Sequence, residues 1–414
     1  MEILPALRTD IDLLPARIEG KSVLLIRDPF GIAAPGVALS AEVAPYLPLF
    51  DGSSTVSDLR AVMTLARGGA LVFRSEAERI VEELGGLGIL QTDAYGREKE
   101  RVIRAFAASP ERAAALAGTS YPEDPRELAS LLDRILSLPV PPAEPLPGPP
   151  CALAAPHIDL RAAERTYAAA YRTLRGTAPS AILLLGTGHS LEGGRFCTTA
   201  KTFRTPLGRV RTDEEAVSRI REAAGGALSP DDIAHRNEHS LEFQLLFLQR
   251  LFPMESVPIL PVLCGQMEDL FGTVRSPLED PAVASFVEAL SSWLAGPPAG
   301  KAVVAGVDLS HVGPKFGDSR TGASLEPEFR AHDREVLDAL AAGDASALFL
   351  AGARSRNRYR ICGFSALWTL LALLPGIRGT VLDYDVWHEE PSRSAVSFAA
   401  VAFSRPSPGS APSA

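Results

Sequence analysis

The sequence predicts an α/β fold, a mainly parallel sheet flanked by helices, preceded by a small winged-helix-like α+β domain. Three observations predict it. From residue 151 onward, short apolar runs alternate with amphipathic helical stretches, the pattern of a parallel sheet covered on both faces. Before residue 137 the chain instead carries short helices and few strands. Between the two, SLPVPPAEPLPGPP (Ser137 to Pro150) is too rich in proline for helix or sheet to persist. The expected division is therefore a winged-helix module over 1–97, a helical bridge over 98–136, a linker over 137–150, an α/β domain over 151–404 and a disordered tail over 405–414. The closing SRPSPGSAPSA has almost nothing to bury.

In the module, SVLLIRDPF reads as a strand and APGVALSAEVAPYLPLF as a turn followed by a helix. TVSDLRAVMTLA reads as a second helix whose Ser/Thr and Asp suit an N-terminal cap. EAERIVEELGGLGIL reads as a third, closed by Gly85-Gly86 and leading into a strand. The bridge carries two helical stretches, EKERVIRAFAASPERAAALAG and DPRELASLLDRIL. After the linker the strand candidates are CALAAPH, AILLLGTG, SVPILPVLC, KAVVAGVDLS, TVLDYDVW and AVSFAAVAF. The helix candidates are DLRAAERTYAAAYRTL, DEEAVSRIREAA, EHSLEFQLLFLQRLF, AVASFVEALSSWLA and EFRAHDREVLDALAAG. GFSALWTLLALLPG, from Gly363, is too short to cross a bilayer and reads as a core helix.

At 414 residues and 46% hydrophobic, the chain can bury large cores. A net charge of −9 and a pI near 5.4 disfavour a nucleic-acid partner, which needs a concentrated basic surface. The N-terminal MEILPALRTDIDLLPARIEG has no basic start followed by an apolar run, so it does not read as a secretion signal. Four cysteines, at 151, 197, 264 and 362, show no paired spacing. Reduced thiols in a cytoplasmic protein with no membrane association are the expectation.

The chemistry gathers at strand ends. His157 ends the first strand of the α/β domain and His189 the second, while KAVVAGVDLSH delivers Asp308 and His311. The chain has only seven histidines. In open α/β sheets ligands bind beyond the carboxyl ends of the strands, so a shared site is expected. Gly186-Thr187-Gly188 invites a dinucleotide reading but fails it, because the third glycine of the fingerprint falls at Leu191. Two imidazoles offer a metal too few ligands. The best third candidate is Cys362 in RICGFSAL, at the start of an apolar helix that favours the thiolate; a buried free thiol is the alternative. HRNEHSLEF supplies His235, Glu238, His239 and Glu242 but lacks the HExxH order of zinc proteases. His239 is either a site residue or a capping one, and Glu238 either joins the site or only favours the helix dipole.

The motifs AAPHIDL, LLLGTGHS, FRTPLGRVRTD, NEHSLEFQL, ILPVLCG, VDLSHVG and ICGFSAL follow in order from residue 151 to about 403. In that succession the sequence resembles the Memo family, specifically the bacterial component B of the AmmeMemoRadiSam system, similar in fold to LigB-type class III extradiol dioxygenases. The resemblance implies a mononuclear metal site of His157, His189 and Cys362, with Glu238, His239, Asp308 and His311 around it. His239 and His311 are then the acid and base, with Asp308 orienting an imidazole or anchoring a metal-bound water. Cysteine replaces the dioxygenases' carboxylate, and Gln244 stands where many relatives have a pocket histidine. A thiolate suits iron or copper, with zinc also compatible. The implied function is a redox or dioxygenase-like enzyme acting with a radical-SAM enzyme and an AMMECR1-like protein. The alternative is a non-catalytic metal- or peptide-binding partner of that system; a zinc-dependent hydrolase or lyase is a third reading. LFDGSSTVSDLRAVM and VEELGGLGIL, within roughly residues 15 to 92, resemble PqqD-like domains, which implies a peptide added to a sheet edge. Packing or dimer contact is the other role open to that module.

Overall fold

A computed structural model describes residues 2–18, 20–33, 36 and 38–406. The chain divides into two compact units, Met1–Ala108 and Ser109–Ala414. From residue 407 the expected disordered tail lies outside the described residues. Among them no helix is long and apolar enough to cross a membrane.

The first unit is α+β. Strands β1 (Asp12–Ile18), β2 (Lys21–Arg27) and β3 (Ala38–Ser40) form an antiparallel sheet in the order β1-β2-β3. A 3₁₀ helix (Ala41–Leu49) and helices α1 (Val56–Ala66), α2 (Arg74–Gly86) and α3 (Asp93–Ala108) follow. The sequence reading finds β2 and α1 but expects an α-helix where β3 and the 3₁₀ turn stand. Pro45 and Pro48 lie inside that turn and remove the donors an α-helix needs. The strand expected after α2 is only a bridge between Leu7 and Leu90. Thr55 and Asp58 close a reciprocal capping box on α1, satisfying two otherwise orphaned donors. Leu59, Met63, Ala77 and Leu84 then face one core with Leu39 and Phe50.

Helix α3 stops at Ala108 instead of running on toward Gly118, because the residue before Pro110 is held out of helical conformation. The second unit opens with β4 (Glu111–Arg112) and α4 (Pro125–Ser137), whose Asp124 cap accepts from the Arg126 and Glu127 amides. It continues through β5 (Pro150–Ala155), α5 (Glu164–Arg172), β6 (Ile182–Thr187), β7 (Phe196–Thr198), β8 (Thr202–Thr205), β9 (Gly208–Val210), α6 (Glu214–Ala223) and α7 (His239–Leu251). Then come β10 (Ile259–Cys264), α8 (Pro281–Ala295), β11 (Ala302–Gly306), β12 (His311–Val312), α9 (Gly322–Ala342), α10 (Ala345–Ser355), α11 (Phe364–Leu373), β13 (Arg378–Glu389) and β14 (Ser394–Ser404).

Eight strands make the main sheet, ordered β12-β14-β5-β11-β6-β10-β7, with β13 paired to β14. Its centre, β5-β11-β6-β10, is parallel as expected. The flanks are antiparallel, so the sheet is mixed, where the sequence reading expects a mainly parallel one. The reason is local: TVLDYDVW and AVSFAAVAF are joined by a short turn, and such a hairpin can only pair antiparallel. Along β6, Leu183 and Leu185 enter one core with Val262, Phe286 and Trp368, while Ile182 and Leu184 enter the other with Tyr171 and Phe247. Helices therefore cover both faces, and the apolar strand runs hold the sheet between two cores.

Candidate metal centre

Three adjacent parallel strands aim their carboxyl ends at one place. The register sets Ala155 of β5 beside Gly306 of β11, and Leu185 of β6 beside Ala305. His157, His189 and Asp308 each follow within two residues of their strands. From the other side, α7 presents Glu238 and His239 at its N-terminus, and Cys362 immediately precedes the α11 cap residue Gly363. The helices approach this closely because two glycines admit them. A Cβ on Gly186 would lie 2.5 Å from Ser240 Oγ, and one on Gly363 would lie 2.3 Å from Val307 Cβ.

His157 is buried, and its Nδ1 donates to the Gly306 carbonyl at 2.9 Å, which turns Nε2 toward Cys362 Sγ at 3.2 Å. The His157 amide donates to Asp308 Oδ1 at 2.9 Å. His189 Nδ1 faces both Glu238 carboxylate oxygens at 3.1 Å, and a nitrogen of the same ring lies within 4.8 Å of the Cys362 sulfur. The His157 and His189 rings meet edge to face, 5.1 Å between centroids. The ligand atoms of His157, His189 and Cys362 all lie within 4.8 Å of one another, as do those of His189, Glu238 and His239. His239 stacks on His189 at 4.8 Å, with its Nδ1 3.3 Å from Glu238. His311 binds the Leu309 and Arg360 carbonyls through Nδ1, at 2.9 and 3.1 Å, and lies close enough to act electrostatically on Cys362.

The charges reinforce one another. Burial opposes the His157 imidazolium, but the Cys362 thiolate and Asp308 outweigh it and lift the ring to about 9. Burial likewise opposes His189, which Glu238 and Cys362 lift to about 10. Burial also opposes the thiolate, yet His157 and His311 hold the Cys362 thiol well below its usual range. Glu238 is held well below the ordinary carboxylate range, His189 overcoming its burial. Burial moves Asp308 the other way, upward, despite His157. This is a donor set with two imidazoles and a thiolate, each ring fixed through its far nitrogen, the arrangement that orients ligands for a metal.

His157, His189, Cys362, Glu238 and His239 thus lie together at one end of the sheet, with Asp308 and His311 beside them. Other residues singled out in the sequence lie outside the cluster. His235 and His239, an i, i+4 pair, do not share a ligand set: His235 is fully buried, donates Nε2–H to the Cys197 carbonyl at 3.2 Å, and has no partner at Nδ1 among the described residues. Gln244 does not reach into the site as a ring would. It accepts from Tyr171 Oη at 2.5 Å and donates to the Pro156 carbonyl at 2.9 Å, holding the backbone just before His157. Cys197 and Cys264 are buried elsewhere, and Cys151 starts β5.

His235 carries a pH prediction. Burial lowers its pKa from the usual 6.5 to about 4. The unfolded chain therefore binds the extra proton first, and stability present above about pH 6.5 is lost as pH falls toward 4, by about 3 kcal/mol for a shift of this size. Urea unfolding at pH 7 and pH 4.5 should show wild type losing more stability than His235→Gln. Equal losses in the two proteins would remove this residue from the acid response.

A family model described as Memo-like protein matches residues 112–402. A MEMO1 family protein of Aquifex aeolicus is 30% identical over 386 residues, covering 92% of this chain and 95% of that protein, so the similarity extends beyond the second unit. A MEMO1 family protein of Thermus thermophilus is 33% identical over 336 residues, 80% of this chain and 93% of that one. One from Archaeoglobus fulgidus is 27% identical over 293 residues, 70% and 97%.

Proposed function

The chain belongs to the Memo-like protein family, and from its clustered His157, His189 and Cys362 we propose that it is a redox enzyme, dioxygenase-like, built on a mononuclear metal site. One observation carries the reading: the ligand atoms of His157, His189 and Cys362 converge within 4.8 Å of one another, and both imidazoles are anchored through Nδ1, to Gly306 and Glu238. A structural thiol would need no such convergence. The donors fit a borderline ion, with iron or copper favoured and zinc compatible. When bound, iron or copper supplies electron transfer and a coordination position for an outside ligand.

The remaining steps belong to the protein. Glu238 and Gly306 fix which nitrogen of each ring is free. His239, partly exposed and held by Glu238, is placed to pass a proton to or from a molecule beside His189. His311 serves as the opposite proton carrier, and Asp308 fixes the His157 backbone. A cavity of about 560 Å³, lined by His189, Arg195, Gln266 and Asp280 among others, opens beside the cluster and is large enough for a small substrate.

Metal analysis of protein purified without added metal or oxygen tests the reading. Near-stoichiometric iron or copper supports it, and zinc alone moves it toward hydrolysis. In the same assay Glu238→Gln should weaken metal affinity by roughly 10–100-fold, because His189 loses the acceptor that fixes its ring. Wild-type affinity in that variant would separate Glu238 from the centre. A radical-SAM enzyme and an AMMECR1-like protein are the partners we propose, with the first unit's sheet edge as a peptide-binding element. A pull-down with full-length chain and with a chain lacking residues 1–93 tests this, and equal retention of both forms would rule out the recognition role.

A further inference from the structure

We propose that Arg112 is a positioning residue for the metal centre, acting through the backbone of residues 235–238. The inference rests on the metal reading above and concerns a residue that touches none of the donors. Arg112 sits in the two-residue strand β4, and its guanidinium is 1% exposed. Nε donates to the His235 carbonyl at 2.9 Å, Nη2 to the Glu238 carbonyl at 2.6 Å, and Nη1 to the Glu242 carboxylate. One planar fork thus grips both ends of the segment that enters α7 and the first turn of the helix itself. Lysine, with a single ammonium head, cannot reproduce this geometry.

Glu242 makes the clamp rigid. Its carboxylate is fully buried and, besides Arg112, accepts from the Tyr121 hydroxyl, the Ala115 amide at 2.8 Å and the Leu116 amide at 2.9 Å. A buried charge pair satisfied at every lone pair is a weak source of net stability, since desolvation offsets its attraction, but it is a strong constraint on position. The position constrained is that of Glu238. With its carbonyl held by Arg112, Glu238 turns its side chain to the opposite side, where it receives the His189 amide at 3.2 Å, His189 Nδ1 at 3.1 Å and the Ser240 amide at 2.8 Å. The chain of constraint is therefore Arg112 to the Glu238 backbone, the Glu238 carboxylate to His189 Nδ1, and the His189 ring to the ligand cluster.

The test is a Co(II) titration of the full chain, read by affinity and by the near-ultraviolet thiolate-to-cobalt absorption that reports Cys362 and the ring geometry. Arg112→Met and Arg112→Lys should both bind Co(II) about tenfold or more weakly than wild type, with an altered absorption spectrum. Val283→Ala, at a buried core position in a helix that contributes no metal donor, controls for general destabilisation and should leave affinity and spectrum unchanged. A folded Arg112→Met protein with wild-type affinity and spectrum overturns the proposal. If that variant does not fold, the same outcome in Arg112→Lys overturns it. Failure of the wild-type chain to bind Co(II) would instead strike the metal reading itself, and this inference with it.

Discussion

Cys362→Ala protein is expected to lose its metal. Removing the thiolate leaves two imidazoles, and the loss in affinity should exceed the roughly 10–100-fold that accompanies loss of an outer partner of a ligand. Sγ is also the group on which the site's charges balance. It lies 3.2 Å from His157 Nε2 and is the counter-ion that lifts the buried His157 ring to about 9. Without it, burial acts against the imidazolium with only Asp308 opposing, so the metal-free variant should show the His157 pKa falling. Equilibrium dialysis against Fe(II) and Cu(I) under anaerobic conditions, with metal counted per chain, checks the first effect. Proton-detected titration of the imidazoles in the metal-free protein checks the second. Full occupancy in Cys362→Ala would sink the assignment of the third ligand.

The candidate site was legible in the sequence because its residues sit where periodicity changes. An apolar run that ends in His or Asp marks a strand end, and parallel strands put those ends on one edge, so His157, His189 and Asp308 needed no tertiary information to be grouped. Cys362 and Glu238 were readable as helix starts. What was not legible depends on partners far away in the chain. Arg112 reads as an ordinary bridge residue until its fork is seen on carbonyls more than 120 positions away. Gln244 reads only as a missing pocket imidazole, and its role as an anchor for the Pro156 backbone is not legible. Strand β1 has its alternation interrupted by Pro15, and β7 and β9 are each three residues long, too short for a pattern to declare itself. The antiparallel pairing of β13 with β14 follows from one turn length between them, which apolar content alone does not reveal.

Gly306→Ala should have the largest effect on the fold around the site. The residue ends β11, and a Cβ there would lie 2.1 Å from the Ser240 carbonyl oxygen, 2.7 Å from Gln244 Nε2 and 3.0 Å from Gln244 Cδ. Two of these atoms belong to a side chain already fixed by Tyr171 and Pro156, and the nearest is backbone in the first turn of α7. None can swing aside, so the helix must move back from the sheet. The expected cost is about 3 kcal/mol, the upper part of the range for overpacking a filled interior. The displacement has a chemical consequence as well. Helix α7 carries His239 and is capped by Glu238, and the Gly306 carbonyl is the acceptor that fixes His157. Metal affinity should therefore fall along with stability. Gly226→Ala provides the contrast, since nothing lies within 4 Å of a Cβ there, and its stability should stay within about 0.5 kcal/mol of wild type. Urea unfolding and Co(II) titration of the two variants measure both effects, and a Gly306→Ala chain with wild-type stability and affinity would show that α7 does not need this close approach to place its residues.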